Sequence, residues 1–188
     1  MNKDLLAILI KAANKALSNN TRFHDFGHAL EVLKNTQQIL KFENGDEDIL
    51  FTAALFHDVS NLSGKNEGVD GAEITSSILN KVESFPKNKI DDVCRLIKSL
   101  NGDTVNKDEI IINEADRMAI FSKLSIVRAF MIYGEKSIQP KEAIEDFLSF
   151  IERKYNNFKL LKAKDLSKEN YLSIKKFLIE SLSYYSLE

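Results

Sequence analysis

The sequence is poor in the residues that cross-link or interrupt a chain. It has one cysteine, two prolines and seven glycines among 188 residues. One cysteine excludes an internal disulfide. So few chain breakers, beside plentiful Leu, Ile, Lys, Glu and Ala, favour helices over many short strands. We therefore predict an all-α fold that forms a single compact domain over residues 1–188.

The chain also lacks a strong net charge and a long apolar run. A formal charge of −2 gives no field that would attract nucleic acid or an anionic membrane in general. The apolar segment from Leu5 to Ile10 is followed by Lys11 and Lys15, and the sequence has no apolar run of the roughly 18 residues that a membrane span requires. We expect a soluble, cytoplasmic protein.

Apolar residues recur at helical spacing through most of the chain. The pattern predicts helices over residues 3–17, 22–42, 46–58, 72–85, 86–100, 109–121, 123–133, 140–155 and 167–184. The polar stretch from Ser60 to Gly71 predicts an exposed loop. The run from Ile110 to Ile112 is β-branched, but its helical surroundings favour a helix.

Two helix starts have capping signals. Thr21 or a neighbour can cap the second helix, and Asp46 can cap the third, which has acidic residues in its first turn. In the second helix, a spacing of four residues predicts that His24 and His28 lie on one side.

The third helix carries an unusual ending. The segment from Ile49 to Ser60 begins with a nearly unbroken apolar run, which ends abruptly at the adjacent pair His57-Asp58. Burying an imidazole and a carboxylate is costly unless something compensates them. With His28 on the second helix and Asp116 on a later one, two imidazoles and two carboxylates can converge on a divalent ion such as Mn²⁺, Fe²⁺, Co²⁺, Ni²⁺ or Zn²⁺.

This pattern resembles the HD-domain superfamily of metal-dependent phosphohydrolases, whose minimal signature is H…HD…D. The matching segments are FHDFGHALEVL, AALFHDV, KNEGVDGAEI and NEADRMA. The resemblance covers residues of about 20–125, with packing helices at about 123–184. It implies one metal ion bound by His28, His57, Asp58 and Asp116. A second metal is not expected, because this chain has no histidine after residue 57.

Roles for other residues follow from the resemblance and from the chemistry of phosphate esters. Asp58 is expected to orient the attacking water as well as bind metal, and His24 to donate a hydrogen bond or proton to the substrate. Glu67, or Asp70, in the adjoining loop can handle protons. The cations closest in sequence to the motif, which can bind phosphate, are Arg22, Lys65, Lys98 and Arg117.

Structural alternatives exist for several of these residues. His24 can be a hydrogen-bonded structural histidine, and the His57-Asp58 pair can serve only a helix end. Arg117 can simply pair with Glu114 or Asp116, and Lys65 can be a solvated loop charge. The residues Tyr184 and Tyr185 can form a homodimer contact, although we expect the last helix to dock on its own domain.

The leading hypothesis is therefore an enzyme that hydrolyses a small phosphorylated metabolite, in particular a nucleotide. A guanosine tetraphosphate hydrolase is a weaker alternative, because that family is similar in its HD pair but places acidic residues soon after it. Here the segment from Val59 to Leu62 follows. The alternative from another class is a non-catalytic sensor or scaffold that keeps the HD fold and its metal.

Overall fold

Helices account for the regular structure of this chain. The computed structural model describes residues 1–18, 24–60, 67–100 and 106–185. Their helices are α1 (Lys3–Leu17), α2 (Phe26–Ile39), α3 (Glu47–Phe56), α4 (Glu67–Lys81), α5 (Ile90–Ser99), α6 (Lys107–Ala119), α7 (Lys123–Glu135), α8 (Pro140–Asn156) and α9 (Leu161–Ser183). A short 3-10 helix, Lys87–Lys89, precedes α5. No strand occurs in these ranges, and the predicted all-α class is confirmed.

The helices form two compact units, Met1–Asp116 and Arg117–Glu188. The single domain expected from the sequence stays a prediction. Among the described helices, none combines the length and the apolar character that crossing a bilayer requires.

Helix α3 is the centre of the first unit. Every residue from Ile49 to Phe56 is buried, and α3 packs against α1, α2 and α5. A helix that is apolar all round belongs inside a fold. Its start is capped as predicted, because the Asp46 side chain accepts hydrogen bonds from the backbone N–H groups of Asp48 and Ile49.

Helix α2 begins later than the sequence pattern indicates. Asp25 has extended backbone and its Oδ1 accepts a hydrogen bond from the His28 N–H at 2.8 Å, which makes Asp25 the N-cap. His24 precedes this cap. The prediction that His24 and His28 share one helix is therefore wrong, and the Thr21 cap falls outside the described residues.

The predicted loop from Ser60 to Gly71 is wrong in its last part. Residues 61–66 lie outside the described residues, but Glu67 to Gly71 form the first turn of α4. Gly68 allows close packing here, because a Cβ at this position would lie 3.2 Å from the Ile97 carbonyl oxygen. A Cβ on Gly71 would make only ordinary contacts, for example 3.8 Å from the His57 carbonyl oxygen.

The remaining helices of the first unit agree with the sequence pattern apart from their ends. Helix α4 stops at Lys81, where the Lys87 ammonium donates to three carbonyl oxygens near its C-terminus, those of Leu79, Asn80 and Val82. The run from Ile110 to Ile112 is helical, as predicted, and lies within α6.

The second unit has its own apolar core. Its buried members come from α8, α9 and the start of the unit: Phe121, Ile144, Phe147, Ile151, Tyr171, Ile174 and Leu178. Helix α9 begins at Leu161 rather than at residue 167, because Ala163 is fully buried and extends the packed face toward the N-terminus. Tyr184 and Tyr185 are 76% and 48% exposed, and the homodimer contact there stays a prediction.

Gly68→Ala is expected to destabilise the protein by about 1 kcal/mol, because the new methyl group meets the backbone of α5, which has little room to move. The control is Gly134→Ala in α7, where a Cβ has no atom within 4 Å. That substitution is expected to stabilise by about 0.5–1 kcal/mol through helix propensity. Urea unfolding followed by circular dichroism measures both, and equal stability of the two variants would contradict the prediction.

Ser137→Gly is expected to stabilise the protein by about 1 kcal/mol. Ser137 has a φ of 55°. It sits where α7 ends in a Schellman motif, with the Ile138 N–H bonded to the Tyr133 carbonyl and the Ser137 N–H to that of Gly134. Thermal unfolding checks the gain. Ser137→Ala keeps the Cβ and should show no gain, so an equal increase in both variants would refute the backbone explanation.

Candidate metal centre

His57 lies at the C-terminal end of α3 and is held by its own helix. Its side chain is 4% exposed, and its Nδ1–H donates to the Ala54 carbonyl oxygen at 2.9 Å. Because the carbonyl can only accept, this bond places the proton on Nδ1. The Nε2 atom is left as the ring nitrogen that can bind a metal.

His28 reaches the same point from the first turn of α2. Its side chain is 14% exposed, and its Nε2 lies 3.2 Å from the Nε2 of His57. Two lone pairs at that separation repel each other unless a proton or a metal ion lies between them. The Asp25 cap bonds to the backbone N–H of His28 itself. It therefore helps to set the position from which the His28 ring approaches His57.

Asp58 brings the first carboxylate. Its Oδ2 lies 3.0 Å from the Nε2 of His57 and 3.4 Å from the Nε2 of His28. The same oxygen accepts a hydrogen bond from the Nδ1–H of His24 at 2.6 Å. His24 is half-exposed, so this bond joins the buried carboxylate to a ring on the solvent side.

Asp116 brings the second carboxylate from α6. Its Oδ1 lies 3.1 Å from the Nε2 of His28 and 3.8 Å from that of His57. The structure thus brings His28, His57, Asp58 and Asp116 together, as the sequence pattern led us to expect. Their roles as metal ligands stay a prediction.

The charges of the four groups depend on one another. Burial alone would lower the pKa of His57, but the charge of Asp58 and its hydrogen bond outweigh burial and raise that pKa to about 9. Burial would raise the pKa of Asp58, yet His57 and His24 hold it well below its usual range. The pKa of Asp116 is likewise lowered despite burial, chiefly by its hydrogen bond to His28. The cluster thus favours a positive charge at its centre.

The donor set fits a divalent metal ion. Four pairs of donor atoms are separated by 3.0 to 3.4 Å. Neighbouring ligands of one first-row ion lie about 3 Å apart when metal–ligand bonds are about 2.1 Å long. Two imidazoles with two carboxylates suit a borderline ion, and the His57–Ala54 bond supplies the second-sphere contact that metal-binding histidines normally have.

A second grouping shares two of these residues. His24, His28 and Asp58 also offer three donor atoms within 4.8 Å of one another. This grouping includes the half-exposed His24, whereas the grouping of His28, His57 and Asp116 includes the buried His57. The two sets share only His28: one requires His24 and Asp58, and the other requires His57 and Asp116. Substituting His24 and His57 separately therefore distinguishes them.

The structure places none of the predicted substrate-binding cations, and not the Glu67 side chain, among these four residues. Arg22 and Lys65 fall outside the described residues, and Glu67 begins α4 with a side chain that the structure does not describe. Arg117 belongs to the second unit, where its Cζ lies 5.8 Å from the centre of the Phe158 ring. Substrate binding by these residues stays a prediction.

Three supporting groups were missed by the sequence argument. They are the Asp25 cap, the Ala54 carbonyl and the Asn35 side chain, which donates to the Ala115 carbonyl oxygen beside Asp116. Asp25 had a usable signal, because an Asp three residues before His28 can cap its helix. The other two contacts depend on how helices end and pack, which the sequence pattern does not specify.

The chain matches the model of one protein family over half of its length. The family model of the HD domain matches residues 25–120, a segment that contains all four converging residues. The chain belongs to the HD domain family. The resemblance proposed from the H…HD…D pattern is thereby confirmed. HD domains bind divalent metals, and this membership supports a metal-dependent phosphohydrolase as the general class.

Solved structures share the fold over nearly the whole chain. The Lin1889 protein from Listeria innocua has 22% identity and a TM-score of 0.76, covering 100% of this chain and 99% of its own. An HD-superfamily hydrolase from Bacillus thuringiensis has 19% identity, a TM-score of 0.77 and 99% coverage of both chains. YpgQ from Bacillus subtilis, in complex with ADP, has 20% identity and a TM-score of 0.72, covering 94% and 93%. At these identities the likeness shows the fold alone. No curated protein matches the chain by sequence.

The HD protein is expected to bind about one equivalent of Mn²⁺, and His57→Ala is expected to lose it, because that substitution removes a buried donor. His24→Ala is the matched control and should retain the metal. Elemental mass spectrometry after Mn²⁺ loading and dialysis measures both, with circular dichroism to verify folding. Retention in His57→Ala together with loss in His24→Ala would instead favour the grouping of His24, His28 and Asp58.

Proposed function

We propose that this HD protein is a metal-dependent phosphohydrolase whose substrate is a nucleotide. The observation that carries the proposal is the convergence of two imidazole nitrogens and two carboxylate oxygens at the end of a buried helix. Such a cluster of buried and partly buried titratable groups is typical of an active site. The nucleotide part is supported by YpgQ, a protein of the same fold whose structure contains ADP.

In this proposal the metal ion activates the phosphate and the water, and the side chains hold the ion and orient its neighbours. A divalent ion, when bound, polarises a phosphoryl oxygen and lowers the pKa of a water ligand. His28, His57, Asp58 and Asp116 would hold that ion. Asp58 also accepts the hydrogen bond of His24, which orients the half-exposed ring at the rim of the site.

His24 is the proposed proton donor to the leaving group. Its Nδ1–H is engaged by Asp58 at 2.6 Å, so a proton on Nε2 can pass to the oxygen that departs from phosphorus. Imidazole is suited to this role because its ordinary pKa lies close to neutrality. Glu67, at the start of α4, stays a proposed alternative for handling protons.

Electrostatics explain why further cations are needed. With neutral imidazoles, the two carboxylates cancel the charge of one divalent ion. A nucleotide phosphate therefore requires positive groups beyond the metal, and we propose Arg22, Lys65 and Arg117 for this purpose.

Manganese-loaded protein is expected to release phosphate or pyrophosphate from members of a panel of nucleoside mono-, di- and triphosphates. Asp58→Asn should lower kcat at least about 100-fold, because it removes a ligand charge and leaves only a neutral acceptor for the His24 hydrogen bond. Treatment with EDTA should abolish turnover, and added Mn²⁺ should restore it.

The control is Asp91→Asn, an exposed carboxylate on α5, which should retain full activity. A folded, metal-loaded wild type that turns over no phosphate ester with Mn²⁺, Co²⁺ or Ni²⁺ would contradict the enzyme proposal. It would favour the non-catalytic sensor or scaffold. Hydrolysis of guanosine tetraphosphate in preference to all other nucleotides would instead favour the weaker enzyme alternative.

A further inference from the structure

A hydrogen bond between helices lies directly beside the candidate metal ligand Asp116. Asn35 of α2 donates from Nδ2 to the Ala115 carbonyl oxygen of α6 at 3.0 Å. Asn35 follows His28 by two helical turns and so lies on the same side of α2. The bond therefore connects the helix that carries one candidate ligand to the residue next to another.

Two ion pairs fix α6 at the end opposite Asp116. The Lys107–Glu43 and Arg95–Glu109 ion pairs, both 2.9 Å, hold the first turn of α6. Glu109 precedes Asp116 by seven residues, which is about 10 Å along a helix. Small changes in the tilt of α6 would thus be largest close to the ligand.

Apolar packing alone does not set the position of Asp116 finely. Ile111, Ile112 and Ala115 are fully buried, but apolar contacts have no preferred direction. A hydrogen bond has a defined length and angle, and it links α6 to α2 at a single atom. Metal sites need their donors within about 0.5 Å of the productive position.

We propose that Asn35 is a positioning residue for the metal centre. Its bond to the Ala115 carbonyl sets the distance between Asp116 Oδ1 and His28 Nε2, which is 3.1 Å here, and thereby tightens metal binding. This inference rests on the metal centre of the proposed function.

The test compares Asn35→Leu with Gln38→Leu. Both positions are partly buried on α2, and both changes replace an amide by the same apolar side chain. Titration calorimetry with Mn²⁺ is expected to show affinity about tenfold weaker in Asn35→Leu and unchanged in Gln38→Leu. Asn35→Ala adds no bulk and should show the same tenfold loss of Mn²⁺ affinity. This variant can be used if the leucine variant does not fold.

A spectrum distinguishes positioning from a loss of stability. The visible absorption of the Co²⁺-loaded protein reports the geometry of the ligands, and it should change in Asn35→Ala but not in Gln38→Leu. A lower melting temperature with unchanged Mn²⁺ affinity and an unchanged Co²⁺ spectrum would overturn the inference while leaving the proposed function intact. A wild type that binds neither ion would overturn both.

Discussion

The burial of α3 is the constraint on which the first unit depends. All residues from Ile49 to Phe56 are withdrawn from water, and the next two residues are an imidazole and a carboxylate. The chain cannot bury this helix without bringing His57 and Asp58 to the interior. Surrounding helices must therefore supply groups of compatible charge, and α2 and α6 do so with His28 and Asp116.

The same constraint explains the composition of the site. Repulsion between the His28 and His57 nitrogens at 3.2 Å, and between two carboxylates, can be relieved by protons shared within the cluster or by one divalent cation. The raised pKa of His57 shows how strongly the carboxylates favour positive charge there. The arrangement that stabilises a buried proton also suits a divalent cation.

Much of this arrangement was predictable from the sequence, for physical reasons that differ among the residues. The HD pair stood out because polar groups rarely end an unbroken apolar run, and His28 and Asp116 stood in segments that resemble those of HD domains.

The position of His24 was not predictable from a spacing of four, since the Asp25 cap starts the helix after it. The beginning of α4 was missed because residues 67–71 share the polar composition of the stretch before them, which favours a loop, whereas Gly68 allows close approach to α5. The Asn35–Ala115 bond joins residues 80 positions apart, and no local pattern specifies such a pairing.

A chain with one cysteine has no internal disulfide, but a metal ion bound by the four donors would also cross-link distant parts of the chain. His28 and His57 are 29 residues apart, and Asp116 follows much later in the chain. An ion bound by all of them closes two long loops in the folded chain, and its binding free energy adds to the stability of the fold because the unfolded chain presents no preformed site. Unlike a disulfide, this cross-link does not depend on the redox state of its surroundings, and it can be withdrawn by a chelator and returned by a salt. The first unit would thus have a reversible cross-link at its candidate metal centre.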